Sequence, residues 1–143
     1  MDAAVLAVAG LKRLGLFSAM ATALEVEEFL PAAGQGAIAI ETRAADESAR
    51  AHAAAVDDTD THTALAAERA FLAALGGSCR TPIAGHARLD GDAVRFRGLI
   101  AKTDGSDTIE VSRQGRRTDA GALGADAGHE IRARAGDGFF VED

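Results

Sequence analysis

The sequence predicts an α+β fold, with a three-stranded antiparallel sheet covered on one face by helices over residues 57–143 and an incomplete α/β segment over residues 1–56 before it. Three observations carry this expectation. Apolar residues recur at helical spacing before Pro82 and at a period of two after it. Two Asp-Gly pairs, Asp90-Gly91 and Asp104-Gly105, divide the later part into three strand-like runs. The polar run Asp57-Asp58-Thr59-Asp60-Thr61 separates that part from a first region with only one strand-like run.

Element by element, Val5, Leu6, Val8, Ala9 and Leu11 predict a helix from Asp2 to Leu14, with Asp2 as cap and Gly15 as stop. The break Pro31-Ala32-Ala33-Gly34-Gln35-Gly36 leads into Ala37-Ile38-Ala39-Ile40, which reads as a buried strand, and a polar helix is expected over 44–55. The polar run then supplies the cap of a helix over 61–75, whose stripe is Ala64, Ala67, Phe71 and Leu75 with Leu65 and Leu72 beside it, stopped by Gly76-Gly77. In the meander, Val94, Phe96 and Ile100 of the middle strand share one face and Arg95 and Arg97 the other, while Ile109 and Val111 point inward from the third strand. Asp119 is expected to cap a last helix with Ala120, Leu123, Ala127 and Ile131 on one stripe. Gly121, Gly124 and Gly128 in that helix predict close packing against the sheet, because a helix-interior glycine otherwise costs about 1 kcal/mol. A lone strand leaves both edges unpaired, so residues 1–56 are expected to complete their sheet with chain they do not themselves contain.

Composition narrows the function classes. The 143 residues suffice for one domain or for one domain and part of another. Alanine accounts for 34 residues and neither Trp nor Tyr occurs, which predicts helices packed through small side chains. The net charge of -7 argues against a general nucleic-acid binder. No apolar run approaches the ~20 residues that span a bilayer, and the basic pair Lys12-Arg13 follows the first apolar stretch where a secretory signal carries it before, so a cytoplasmic chain is expected. Thirteen of the 15 basic residues are arginines, whose planar fork suits carboxylates, although the scarcity of lysine explains much of that excess.

Few residues offer chemistry. Cys79 is the sole cysteine, which excludes an intrachain disulfide and a cysteine zinc cluster. It stands in Gly76-Gly77-Ser78-Cys79-Arg80-Thr81-Pro82, a loop directly after a helix, where a thiol is reachable; an inert buried cysteine is the competing reading. The preceding helix opposes thiolate formation and Arg80 favours it. His52, His62, His86 and His129 show no nucleophile–base pattern or metal-ligand spacing, and no metal or catalytic residue is assigned. Gly34-Gln35-Gly36 lacks the spacing of a phosphate loop; it reads as a tight turn whose glycines also let backbone amides approach an anionic ligand.

Four stretches taken together are more specific: Asp2–Gly15 (DAAVLAVAGLKRLG), Leu30–Glu41 (LPAAGQGAIAIE), Ala67–Phe71 (AERAF) and Gly76–Ala84 (GGSCRTPIA). In this order and spacing the chain resembles hydroxymethylbilane synthase, also called porphobilinogen deaminase. The resemblance implies a transferase of tetrapyrrole (porphyrin and heme) synthesis that joins four porphobilinogens head to tail, with loss of ammonia at each addition, and frees hydroxymethylbilane by hydrolysis. It implies a dipyrromethane cofactor held by a thioether at Cys79, which tethers the growing pyrrole oligomer. It implies further that Arg13 faces pyrrole carboxylates, and that Gln35 and Gly36 contact cofactor and substrate rings through the side-chain amide and the backbone N–H. Arg80 departs from the glutamine associated with its position and receives no role.

By the same resemblance, residues 1 to about 30 end the family's second domain, about 31 to 56 return to its first, and 57–143 form the C-terminal cofactor-attachment domain. The active-site aspartate belongs to the N-terminal region of the family, and none of Asp2, Asp46, Asp57, Asp58 or Asp60 matches it. This chain alone is therefore expected to be inactive, with the N-terminal region of the same enzyme as its partner. Self-association through the unpaired strand at Ala37–Ile40 is expected in its absence. The alternative is a non-catalytic binding or regulatory module derived from that family.

Overall fold

A computed structural model of the chain describes residues 3–17, 21–76, 82–136 and 139. The first helix, α1, spans Val8–Arg13, shorter than the periodicity predicts: it begins after Ala7, which offers no side-chain cap, while Asp2 lies outside the described residues. Helix α2 spans Glu47–Ala54, with the Asp46 carboxylate accepting from the Ala49 N–H at 2.9 Å. Between them, residues 37–43 form neither helix nor strand. Ile38 is 93% exposed and Ile40 60%, so the expected buried strand is corrected. A strand is buried only by a layer packed on it and paired only by a neighbour, and the described residues supply neither.

From residue 59 every expected element forms. Helix α3, Thr59–Leu75, begins at Asp58, whose Oδ1 accepts from the Thr61 N–H at 2.7 Å, and ends at Gly76 in the left-handed conformation, φ 65°. Strands β1 (Ile83–Asp90), β2 (Ala93–Ala101) and β3 (Thr108–Arg116) form an antiparallel meander in the order β1-β2-β3. Gly91 and Gly105 stand in the two turns at positive φ. A short 3-10 turn, Arg117–Asp119, leads into α4, Ala120–Ala135. Asp119 occupies the cap position, but its side chain accepts no capping bond and instead takes the Thr118 hydroxyl, which corrects the expected cap.

Helices α3 and α4 cover one face of the sheet, and the apolar core lies between these two layers. Ala67, Phe71 and Leu75 from α3 and Ala120, Ala127 and Ile131 from α4 meet Ile83, Ala87, Val94, Phe96, Ile100 and Val111 from the strands. The Phe71 ring lies over the cross-strand pair Gly85 and Gly98: a Cβ on Gly98 would sit 2.5 Å from it. Phe71 also packs on Phe96 with ring centroids 5.0 Å apart, a geometry that adds about 0.5–1.5 kcal/mol beyond area burial. The glycines of α4 serve the other helix rather than the sheet. A Cβ on Gly124 would overlap the Ala67 carbonyl, and one on Gly128 would sit 2.6 Å from Ala74 Cβ. The sequence shows that a close approach is needed there; the structure shows that the partner is α3.

Candidate functional site

The Gly34-Gln35-Gly36 segment is a turn. Gln35 N–H donates to Ala32 O at 3.0 Å and Ala37 N–H to Gly34 O at 3.2 Å, with Gly34 and Gly36 at φ 75° and 86°. Both values lie in the region that L side chains rarely adopt, which explains the glycine on either side of the glutamine. Gln35 is exposed. A Cβ built on Gly36 meets no atom within 4 Å, so among the described residues the space beside its backbone is open to a flat ligand.

The chain reaches this turn by passing round the edge of β1. On the open face of the sheet, Arg88 donates to the Glu27 carboxylate at 2.8 Å and Arg97 to the Glu27 carbonyl at 3.0 Å. At the edge, the Gly85 N–H donates to Pro31 O at 2.9 Å. On the helix side, Glu68 of α3 closes the path: its Oε2 accepts from the Gly34 N–H at 2.7 Å and its Oε1 from the Ala87 N–H at 2.9 Å. Pro31 and Glu68 thus occupy two donors of an edge strand that would otherwise be open.

This placement puts the glutamine turn beside the two elements that flank the cysteine loop, since α3 ends at Leu75 and β1 begins at Ile83. Cys79 itself, with Arg80, lies outside the described residues. Arg13 stands in the last turn of α1, where a cation is favourable, and is exposed. Gln35 and Gly36 are therefore brought together, whereas no hydrogen bond or ion pair among the described residues joins Arg13 to them.

Two features escaped the sequence reading. The first is Glu68, 6% exposed, whose signal was available as a carboxylate placed between Ala64, Phe71 and Leu72 on the apolar stripe of α3. The second is a groove of about 450 Å³ on the open sheet face, lined by Glu27, Leu30, His86, Arg88, Arg95 and Arg97 among others. Its arginines are engaged: Arg88 with Glu27, Arg95 with Asp90 at 3.5 Å and Arg97 with Glu110 at 3.3 Å. No group of three or more metal-ligating side chains occurs among the described residues, and no helix there is long and apolar enough to cross a membrane.

Residues 62–133 match the family model for the porphobilinogen deaminase C-terminal domain, and residues 1–51 match the model for the porphobilinogen deaminase dipyrromethane cofactor binding domain. The chain is 58% identical over 140 residues to porphobilinogen deaminase of Nitrobacter winogradskyi and 57% identical to that of Nitrobacter hamburgensis. Each alignment covers 98% of this chain and 44% of the relative, so the chain spans less than half the length of these curated relatives.

Proposed function

The chain belongs to the porphobilinogen deaminase family, and from that membership we propose that it supplies the C-terminal part of a transferase that polymerises four porphobilinogens into hydroxymethylbilane in the cytoplasm. In this reading residues 57–143 are the cofactor-attachment domain, and residues 1–56 complete two further domains together with an N-terminal region. The observation that carries it is the glutamine turn, held by hydrogen bonds against α3 and β1 on either side of the cysteine loop.

The described part of the site fits a dipyrromethane. An exposed amide at Gln35 and open backbone at Gly36 suit a flat ring bearing N–H groups and carboxylates. When bound, the cofactor supplies the tether from which the oligomer grows. Cys79 holds it through a thioether, which resists hydrolysis where a thioester would not, and covalent attachment keeps intermediates from diffusing away between additions. Gln35 orients a ring through its side-chain amide, Gly36 donates its N–H, and Arg13 pairs with an acetate or propionate carboxylate. No proton-transferring residue is assigned in this chain, so turnover requires the N-terminal region.

Intact mass after co-expression with the N-terminal region of a family member tests this reading, with Cys79→Ser alongside. The expected result is a 1:1 complex in which this chain gains the mass of a dipyrromethane and the variant does not. Alone, the chain is expected to show no turnover and to self-associate on sizing, because residues 38–41 present exposed backbone outside any strand pairing, with the apolar Ile38 among them. A complex in which the chain keeps its bare mass would instead favour a non-catalytic module.

A further inference from the structure

Glu68 is the one charged side chain buried among the described residues. Burying a carboxylate costs free energy unless its oxygens are hydrogen-bonded, and here each oxygen accepts one backbone N–H, from residues 53 positions apart in the chain (87 − 34). Covering the edge of β1 would need only the bond to Ala87. The second bond, to Gly34, goes to the first residue of the glutamine turn. We propose that Glu68 is a positioning residue: it fixes the Gly34-Gln35-Gly36 turn against α3 and β1, and so sets where the Gln35 amide and the Gly36 N–H stand relative to those two elements.

The geometry supports a locating role. Glu68 lies about two helical turns before Gly76, at the end of α3, and Ala87 lies midway along β1, the next strand. The carboxylate is therefore bonded to both the turn and the strand from a rigid helix. The turn has little slack of its own, since Gly34 sits at φ 75° and a Cβ there would be 3.6 Å from Leu65 of α3. A carboxylate only accepts, which suits two facing N–H donors. The amide of Glu68→Gln keeps the shape, yet it must turn its NH2 toward one of them. That variant removes one bond while leaving the apolar packing of α3 in place.

This inference rests on the assignment of Gln35 and Gly36 to the pyrrole site, so its test separates the two. The complex of this chain with the N-terminal region is supplied with porphobilinogen. Cofactor mass gain and the KM for porphobilinogen are then followed for wild type, Glu68→Gln and Gly34→Ala, with amide exchange at positions 34 and 87 and the Tm measured on the same samples. Small misplacements at a reacting site cost up to about a hundredfold. Both variants are therefore expected to remain folded and to show a roughly tenfold or greater slowing of loading or rise in KM, with amide protection lost at Gly34 or Ala87 in Glu68→Gln and at residue 34 in Gly34→Ala. A merely structural role lowers Tm and leaves the KM of the folded molecules unchanged, and that result overturns the proposal, as does unaltered protection at both Gly34 and Ala87 in Glu68→Gln. If Glu68→Gln fails to fold, Gly34→Ala decides alone, because it disturbs the turn without removing the buried carboxylate. Failure of the wild-type complex to load at all counts against the function itself, whereas loading by wild type and both variants alike counts against the role of Glu68 only.

Discussion

Residues 57–143 and residues 1–56 draw on the same alanine-rich alphabet and reach opposite outcomes. In the first, two helices and three strands close on one another and hold every buried side chain of the described structure. In the second, no described residue is buried, and Val5, Leu6, Leu14, Leu16, Ile38 and Val56 are each at least 60% exposed. Apolar residues are 34 of 56 in residues 1–56 and 34 of 87 in residues 57–143, so the less buried region is the richer one and apolar content does not decide the outcome. The C-terminal region contains both layers of its core, whereas the N-terminal region contains single elements with no facing layer among the described residues. Hydrophobic residues stabilise a fold only where a second surface removes them from water.

The largest effect that probes this contrast comes from truncating an apolar side chain in each region. Phe71→Ala removes the ring that spans Gly85, Gly98 and Phe96, and is expected to cost about 3–5 kcal/mol. Ile38→Ala in the exposed segment is expected to change stability by less than about 0.5 kcal/mol. Urea unfolding followed by circular dichroism measures both. A large loss in Ile38→Ala would mean that residues 37–43 pack on the rest of the chain in solution.

Glycines give the next contrast. Gly10 lies in α1 with nothing near its missing Cβ, so Gly10→Ala is expected to favour that helix by up to about 1 kcal/mol without moving the cooperative unfolding transition. Gly124 lies in α4 against the Ala67 carbonyl, and Gly124→Ala is expected to cost about 1–3 kcal/mol as the two helices are pushed apart. Thermal unfolding of the two variants distinguishes the signs. Equal tolerance at both sites would show that α3 and α4 can separate freely.

What the sequence disclosed follows the same division. The meander was legible because Asp90-Gly91 and Asp104-Gly105 mark turns locally, and the alternation of Val94, Phe96 and Ile100 with Arg95 and Arg97 needs no knowledge of distant residues. The stripe of α3 was legible for the same reason. Failures came where a contact between remote segments decides the structure. The run Ala37–Ile40 has the composition of a buried strand but no neighbour here to make it one. Gly124 and Gly128 signalled a close approach without naming α3. Glu68 bonds to Gly34 and Ala87, and no spacing rule links those three positions. Of the candidate site, the Gly34–Gly36 turn was readable from its own residues, Arg13 and Cys79 owe their proposed roles to the family resemblance, and the bond from Glu68 to the turn was not readable at all.

Acid provides the smallest and most general probe, because it acts on charges of the packed region without altering a residue. Asp58 has its pKa lowered chiefly by the backbone N–H of Thr61, Asp104 by that of Ser106, and Glu130 by its hydrogen bond from Arg113, which also reaches Asp126 at 2.7 Å. A carboxyl that binds its proton less readily in the folded chain than in the unfolded one makes protons favour unfolding. Its contribution is complete above the ordinary carboxylate range, and it is lost as pH falls through the lowered folded value. The Tm of the chain is therefore expected to be level from neutral pH down to about 5 and to fall below about 4. Glu130→Gln is expected to lower the neutral-pH Tm slightly and to flatten the acid decline, since the neutral amide keeps an acceptor for Arg113 but has no proton to gain. An acid decline as steep in that variant as in wild type would assign the loss to Asp58 and Asp104, the carboxylates that hold the start of α3 and the turn after β2, in place of the bridge between β3 and α4.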